Sequence, residues 1–209
     1  MQKKRQVKNF WSKFWFLLWK DDSFKGWLFS VVILIIFILF IFFPTLRLAT
    51  GTSLPLAIVE SCSMYHEGNL FSDFDSWWDK HDTKYSKLNI NNLDFREFSF
   101  KNGFNKGDIL FIIGARPEKL EEGDVIIFNA ERRNPIIHRI IDIKQENGEY
   151  TFSTIGDNNP AQLSFETKIQ EDELVGKAVI KLAPYLGWIK LIFFEQLRPA
   201  QDRGLCSEN

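Results

Sequence analysis

The 209-residue chain is poor in the residues that carry metal and redox chemistry: it has two cysteines, two methionines and three histidines. Two cysteines do not make a disulfide-stapled scaffold. Cys206 is isolated near the C-terminus, far from Cys62, so no bridge between them is expected. His66 and His81 lack the spacing to further ligands that zinc requires, so no metal and no cofactor are expected. Repeats and low-complexity tracts are missing, and a composition with 45% hydrophobic residues argues against a disordered or collagen-like chain. A basic body is missing too. Residues 1–26 carry seven Lys/Arg against Asp21 and Asp22, a net of +5, which leaves 19 basic and 25 acidic side chains, a net of −6, for the remainder. An acidic body argues against a nucleic-acid binder.

Apolar and aromatic residues are concentrated early, with 13 of the 32 aromatics lying between Phe10 and Phe43. Trp27 to Leu46 carries no charge, and at about 1.5 Å per residue it spans roughly 30 Å, the thickness of a bilayer core. It is longer than the roughly 7–15-residue apolar core of a cleaved signal peptide. Pro44-Thr45-Leu46-Arg47 follows it in place of a small-residue cleavage site. Residues 27–46 are therefore read as a retained transmembrane anchor. The basic residues before it, against Arg47 alone between its end and Lys80, place residues 1–26 in the cytoplasm and 47–209 outside. Phe10–Trp19, aromatic and basic but too short to span, reads as a helix in the headgroup region.

Beyond the anchor the punctuation is that of a mainly β protein. Ile-, Val- and Phe-rich runs at 56–60, 109–113, 125–129, 136–144, 149–154 and 175–182 are bounded by Gly-Asp, Asn-Gly and Pro. Residues 67–106 are polar and aromatic, and are read as an insertion with structure of its own, since bare loops that long are uncommon. The Pro184–Leu197 stretch is too short to span a bilayer. It is read as a membrane-associating segment, against the plainer alternative of a core strand or terminal helix.

Asn147-Gly148 is the favoured two-residue turn of a hairpin. It makes Glu146 face Glu149, so facing residue numbers sum to 295. His138 then faces Asp157, close enough for imidazole and carboxylate to meet unless a bulge shifts the register by one. Ser63, just after an apolar strand, completes a set of three candidate residues.

These residues lie in motifs that resemble signal peptidase I of the archaeal and endoplasmic-reticulum type: Ser61-Cys62-Ser63-Met64 after an N-terminal anchor, Gly107-Asp108, Gly123-Asp124, His138-Arg139 and Gly156-Asp157-Asn158-Asn159. Val175-Gly176-Lys177 and Pro184-Tyr185-Leu186-Gly187 extend the likeness toward residue 195. The resemblance implies a signal-peptidase-like β domain behind one transmembrane helix, and a serine endopeptidase that removes signal peptides during protein secretion. The implied partners are secretory precursors, the lipid membrane and a nearby Sec translocon; the implied location is the cell membrane. Ser63 would be the nucleophile, His138 its base and Asp157 the residue that orients the imidazole. The Ser63 N–H and the Ser61 hydroxyl would stabilise the oxyanion, and Met64 would contact substrate. Arg139, on the opposite face of its strand from His138, is read as structural or membrane-facing.

The sequence also departs from that pattern. Cys62 replaces a glycine, which would strain a backbone needing positive φ. Tyr65-His66 replaces Glu-Pro, with His66 read as a loop residue. Leu163 stands where a second aspartate is expected, leaving Glu166 as the alternative carboxylate. These departures keep open a catalytically silent, signal-peptide-binding relative, and a protease of the same fold for specialised membrane substrates. A self-cleaving repressor of the serine–lysine type is disfavoured, because no lysine occupies position 138 and no DNA-binding segment is present.

Overall fold

The computed structural model describes residues 2–67, 74–130 and 134–207. The chain divides into two compact units, residues 1–49 and 50–209. In the first, α1 (Gln2–Trp19) packs on α2 (Phe24–Phe37): Phe14 meets Phe29 edge-on at 5.7 Å, and Ser30 Oγ donates to Leu18 O at 3.1 Å. Ser23 caps α2 by accepting from Gly26 N. A π-helical segment, Ile38–Phe42, joins α2 to α3 (Phe43–Thr50). Pro44 offers no N–H and crowds the turn before it, and the wider π turn lies immediately upstream. The result is a continuous 27-residue helix, Phe24–Thr50, long and apolar enough to cross a membrane.

The second unit is built on seven antiparallel strands: β1 (Leu56–Ile58), β2 (Ile109–Ile113), β3 (Val125–Phe128), β4 (Ile136–Glu146), β5 (Glu149–Ile155), β6 (Ile169–Gln170) and β7 (Leu174–Ala183), in the order β1-β2-β7-β3-β4-β5-β6. The mainly β expectation holds, and every strand except the short β6 lies over a predicted apolar run. All four residues of β3 are fully buried, because both faces of the sheet are covered. Val125 and Ile127 join Met64, Phe104, Leu110 and Ile112 on one side. Ile126 and Phe128 join Ile140, Phe152 and Ile169 on the other.

The two Gly-Asp pairs are one device used twice. Gly107 and Gly123 hold φ near +90°, and a Cβ on either would strike the ring of Trp188 or Phe98. The aspartate that follows each pins the turn: Asp108 accepts from Asn105 N and pairs with Lys181, and Asp124 accepts from Glu121 N and pairs with Lys177.

The β4–β5 hairpin turns through Asn147 (φ 54°) and Gly148 (φ 90°), and Glu146 faces Glu149 as expected. Beyond Asp142 the register changes. Asp142 faces Ser153 but Ile140 faces Thr154, so Ile141 is an extra, bulged residue and facing numbers then sum to 294. The expected His138–Asp157 face-off is therefore lost. Arg139 faces Ile155, and Asp157, two residues further on, falls on the Arg139 side.

Residues 74–106 contribute α4 (Phe74–Ser86) and α5 (Asn92–Glu97), the latter opened by an Asn91–Asp94 capping box. Their buried Trp77, Trp78, Tyr85 and Phe95 pack with the bulged Ile141 and with Ile155.

Candidate active site

β1 and β4 stand four strands apart, yet the sheet curls so that both line one cleft of about 720 Å³. Apolar residues of β1 (Leu56, Ile58) and of β4 with its approach (Pro135, Ile136) line it together with Ser61, Ser63, Met64 and His138. Ser63 lies in an irregular segment between Val59 and Met64, both buried. Val59 N donates to Asp108 O and Phe104 N to Met64 O, while Asn158 N reaches Ser63 O at 2.8 Å. Ser61 Oγ lies 3.1 Å from Ser63 Oγ. Positive φ among described non-glycine residues occurs at Asn89, Phe100, Asn147 and Tyr185, so Cys62 is not strained by its side chain.

His138 is nearly enclosed, at 4% exposure, and its Nδ1 is hydrogen-bonded to Glu166 Oε1. Glu166 is fully buried at the end of a 3₁₀ turn, Ser164–Glu166, which packs on β5. Its other oxygen accepts from Leu163 N at 2.7 Å, closing that turn, and its backbone carbonyl accepts from Gln162 Nε2. A carboxylate on Nδ1 fixes the tautomer with its lone pair on Nε2, the form a general base needs. Glu166, and not Asp157, is the carboxylate that meets the His138 imidazole.

Asp157 belongs to a different network, on the far side of β4. Its carboxylate accepts from Arg139 Nη2 (2.7 Å), Tyr85 OH (2.8 Å) and His66 Nε2 (2.9 Å). Arg139 is fully buried, over the Phe95 ring, and also donates to the carbonyls of Ser99, Phe100 and Gly123, so it is structural and not membrane-facing. Burial alone would raise the Asp157 carboxyl. The Arg139 guanidinium and the His66 hydrogen bond outweigh it and hold the group far below the usual carboxylate range. Desolvation lowers Lys84 to about 8; its ammonium donates to Asp157 O and Asn159 O.

His66 is not a loop residue in solvent. It is 2% exposed, stacked 3.6 Å from Trp77, with Nε2 on Asp157 and Nδ1 buried without a partner. Burial pushes its pKa below the usual 6.5, because a second N–H would face no acceptor. In the folded protein His66 therefore resists a proton that the unfolded chain accepts. The stability it contributes is present above pH 6.5 and is lost as pH falls through the lowered value. Thermal unfolding scanned from pH 7.5 to 5 is expected to show a falling midpoint, and His66→Gln to flatten that slope.

The expectation about the cysteines is overturned: Cys62 and Cys206 form a disulfide, with Cα atoms 5.3 Å apart. The chain brings Cys206 back to the Ser61–Ser63 segment, a long-range closure that no local spacing reveals. The available signal was compartment, since paired cysteines placed outside the cytoplasm are often bridged. Among the described residues no cluster of His, Cys, Asp or Glu could hold a metal ion.

No protein-family model matches the chain. Over 101 residues, 45% of its length, it is 32% identical to the signal peptidase complex catalytic subunit SEC11C of Homo sapiens, covering 52% of that protein. It is 29% identical over 106 residues to SEC11 of Candida tropicalis and 32% identical over 104 residues to SEC11 of Lodderomyces elongisporus, covering 63% and 61% of those proteins. The alignment with the human protein spans about half of that relative's length. The ordered motifs and these similarities point the same way: over a little less than half of its length the chain is similar to signal peptidase complex catalytic subunits.

Proposed function

We propose that this chain is a membrane-anchored serine endopeptidase that cleaves signal peptides from precursor proteins, with Ser63, His138 and Glu166 as its catalytic set. The observation that carries this reading is the His138–Glu166 pair, buried at a cleft that Ser63 also lines. In the proposed reaction Ser63 Oγ attacks the carbonyl carbon of the scissile bond while its proton passes to His138 Nε2. Glu166 stabilises the imidazolium that forms. The Ser63 N–H and the Ser61 hydroxyl donate to the oxyanion. The imidazolium then gives its proton to the leaving amine, and water activated by the same imidazole hydrolyses the acyl-enzyme. Asp157, on the far side of β4, supports the turn that carries Asn158.

β1 ends the sheet order, so a substrate in extended form can add to its outer edge beside Ser63, with Leu56 and Ile58 as apolar contacts. The helix Phe24–Thr50 would be the anchor, with the basic N-terminus in the cytoplasm and the peptidase unit outside. In α6 (Trp188–Phe194) only Leu191 is buried, while Ile189, Ile192 and Phe193 are 65% or more exposed. That apolar face suits the lipid boundary, where a precursor's cleavage site emerges. Lys190, on the same helix, lines the cleft.

Full-length protein in detergent, incubated with a secretory precursor, is expected to cut at the signal-peptide junction, as located by mass spectrometry. Ser63→Ala and His138→Ala are expected to lose ~10⁴-fold or more of that rate. Folded parent protein that leaves several precursors intact would instead favour the silent binding relative.

A further inference from the structure

The C-terminal segment is tied back to the nucleophile by bonds that the proposed reaction does not use. Lys106, 1% exposed, holds Glu195 through its ammonium, which also donates to Asp202 O (2.7 Å) and Gly204 O (3.2 Å). Arg198 reaches Glu60 O, just before the Ser61–Ser63 segment. Cys206 is then bonded to Cys62, between the two serines. Asn158 joins the layers: its side-chain amide donates to Cys62 O and to Ser207 O, both at 3.0 Å, while its backbone N–H holds Ser63 O. The tail itself is not packed into the core; Leu205 is 76% exposed and Arg203 is exposed. The covalent bond, with the Asn158–Ser207 hydrogen bond beside it, keeps residues 205–207 against a segment that has no strand or helix of its own.

We propose that Glu195–Ser207 is a strap that positions Ser63, and that closure of Cys62–Cys206 switches the peptidase on. This rests on the reading of Ser63 as nucleophile. Bridge formation removes two electrons and two protons from the two thiols. A disulfide donor of an oxidising compartment takes them up by exchange and leaves as a dithiol. Chains still in a reducing cytoplasm hold two thiols, a tail without its covalent tie and a looser Ser61–Ser63 segment, so the enzyme gains full activity only after its peptidase unit has crossed the membrane. Cys62 and Cys206 are positioning residues, acting through the backbone on either side of Ser63.

The test compares the full-length protein in detergent before and after dithiothreitol, beside Cys206→Ser, at a temperature where unfolding scans show all forms folded. Peptide mapping is expected to find the bridged peptides in the untreated protein. Reduction and Cys206→Ser are each expected to lower kcat for a signal-peptide precursor at least tenfold with KM within twofold. Both should speed hydrogen exchange over residues 60–64. Reoxidation with glutathione disulfide is expected to restore the parent, and dithiothreitol to leave Cys206→Ser unchanged. Free thiols in the untreated protein, kcat within twofold across all forms, or unchanged exchange would each overturn the strap. If the parent cleaves no precursor, the function of Ser63 falls and the exchange difference alone decides the strap.

Discussion

Glu166→Gln is expected to lower kcat for precursor cleavage by roughly 10³–10⁴-fold while leaving the thermal midpoint nearly unchanged. Gln is close to Glu in size, so the 3₁₀ turn and its packing on β5 remain. What changes is the proton. The carboxylate accepts from His138 Nδ1 and so leaves the Nε2 lone pair toward the cleft. An amide placed there can offer its NH₂ to Nδ1, which moves the imidazole proton to Nε2 and removes the base from Ser63. The negative charge that stabilises the imidazolium disappears at the same step. Steady-state cleavage, with single-turnover measurements to isolate acylation, reads the effect. The contrast is Asp157→Asn. A fall in kcat there at an unaltered midpoint, with Glu166→Gln active, would return Asp157 to the catalytic set.

Arg139→Met is expected to destabilise the second unit by about 3–5 kcal/mol, the usual result of leaving one member of a buried pair without the other. For a unit of this size that corresponds to a fall of about 10 °C in the unfolding midpoint. The cause is specific. Asp157 is fully buried and its ionised state is sustained mainly by Arg139, with His66 and Tyr85 as further donors. Removing the guanidinium also orphans three carbonyls, those of Ser99, Phe100 and Gly123. Adding Asp157→Leu to Arg139→Met should recover part of the loss, since an apolar pair can fill the site. A midpoint within 2–3 °C of the parent for Arg139→Met would show that solvent replaces the guanidinium, against its burial.

How far the sequence reached can be judged on β4. Its length, its Asn-Gly turn and its two chemistry-bearing residues follow from local pattern, because alternation and turn chemistry act within a few residues. The bulge does not. In Ile136-Ile137-His138-Arg139-Ile140-Ile141 apolar residues occupy both parities, so an inserted residue leaves no trace in the alternation. That single residue moved Asp157 to the Arg139 face and left the Nδ1 position of His138 to Glu166, a residue 28 positions away on a short 3₁₀ turn. Glu166 was visible only as an alternative to Asp157, since no rule of spacing ties it to His138. His66 was missed for a similar reason: its burial depends on Trp77, which α4 brings across from elsewhere in the chain. The long apolar helix, the strands and the Gly-Asp turns are local problems, whereas partner choice in a buried charge network is decided by register.

The bridge between positions 62 and 206 has a consequence for the denatured chain. It closes a ring over 144 residues, nearly the whole of the second unit. A ring that large forfeits much of the conformational freedom an open chain would gain on unfolding. In the chain-entropy account this favours the folded form by ~5 kcal/mol, before any native-state strain is counted. A protease that nicks one exposed loop of this unit opens the ring but releases no fragment, since both sides stay joined through sulfur. On a gel such a nicked chain runs as two pieces only after reduction.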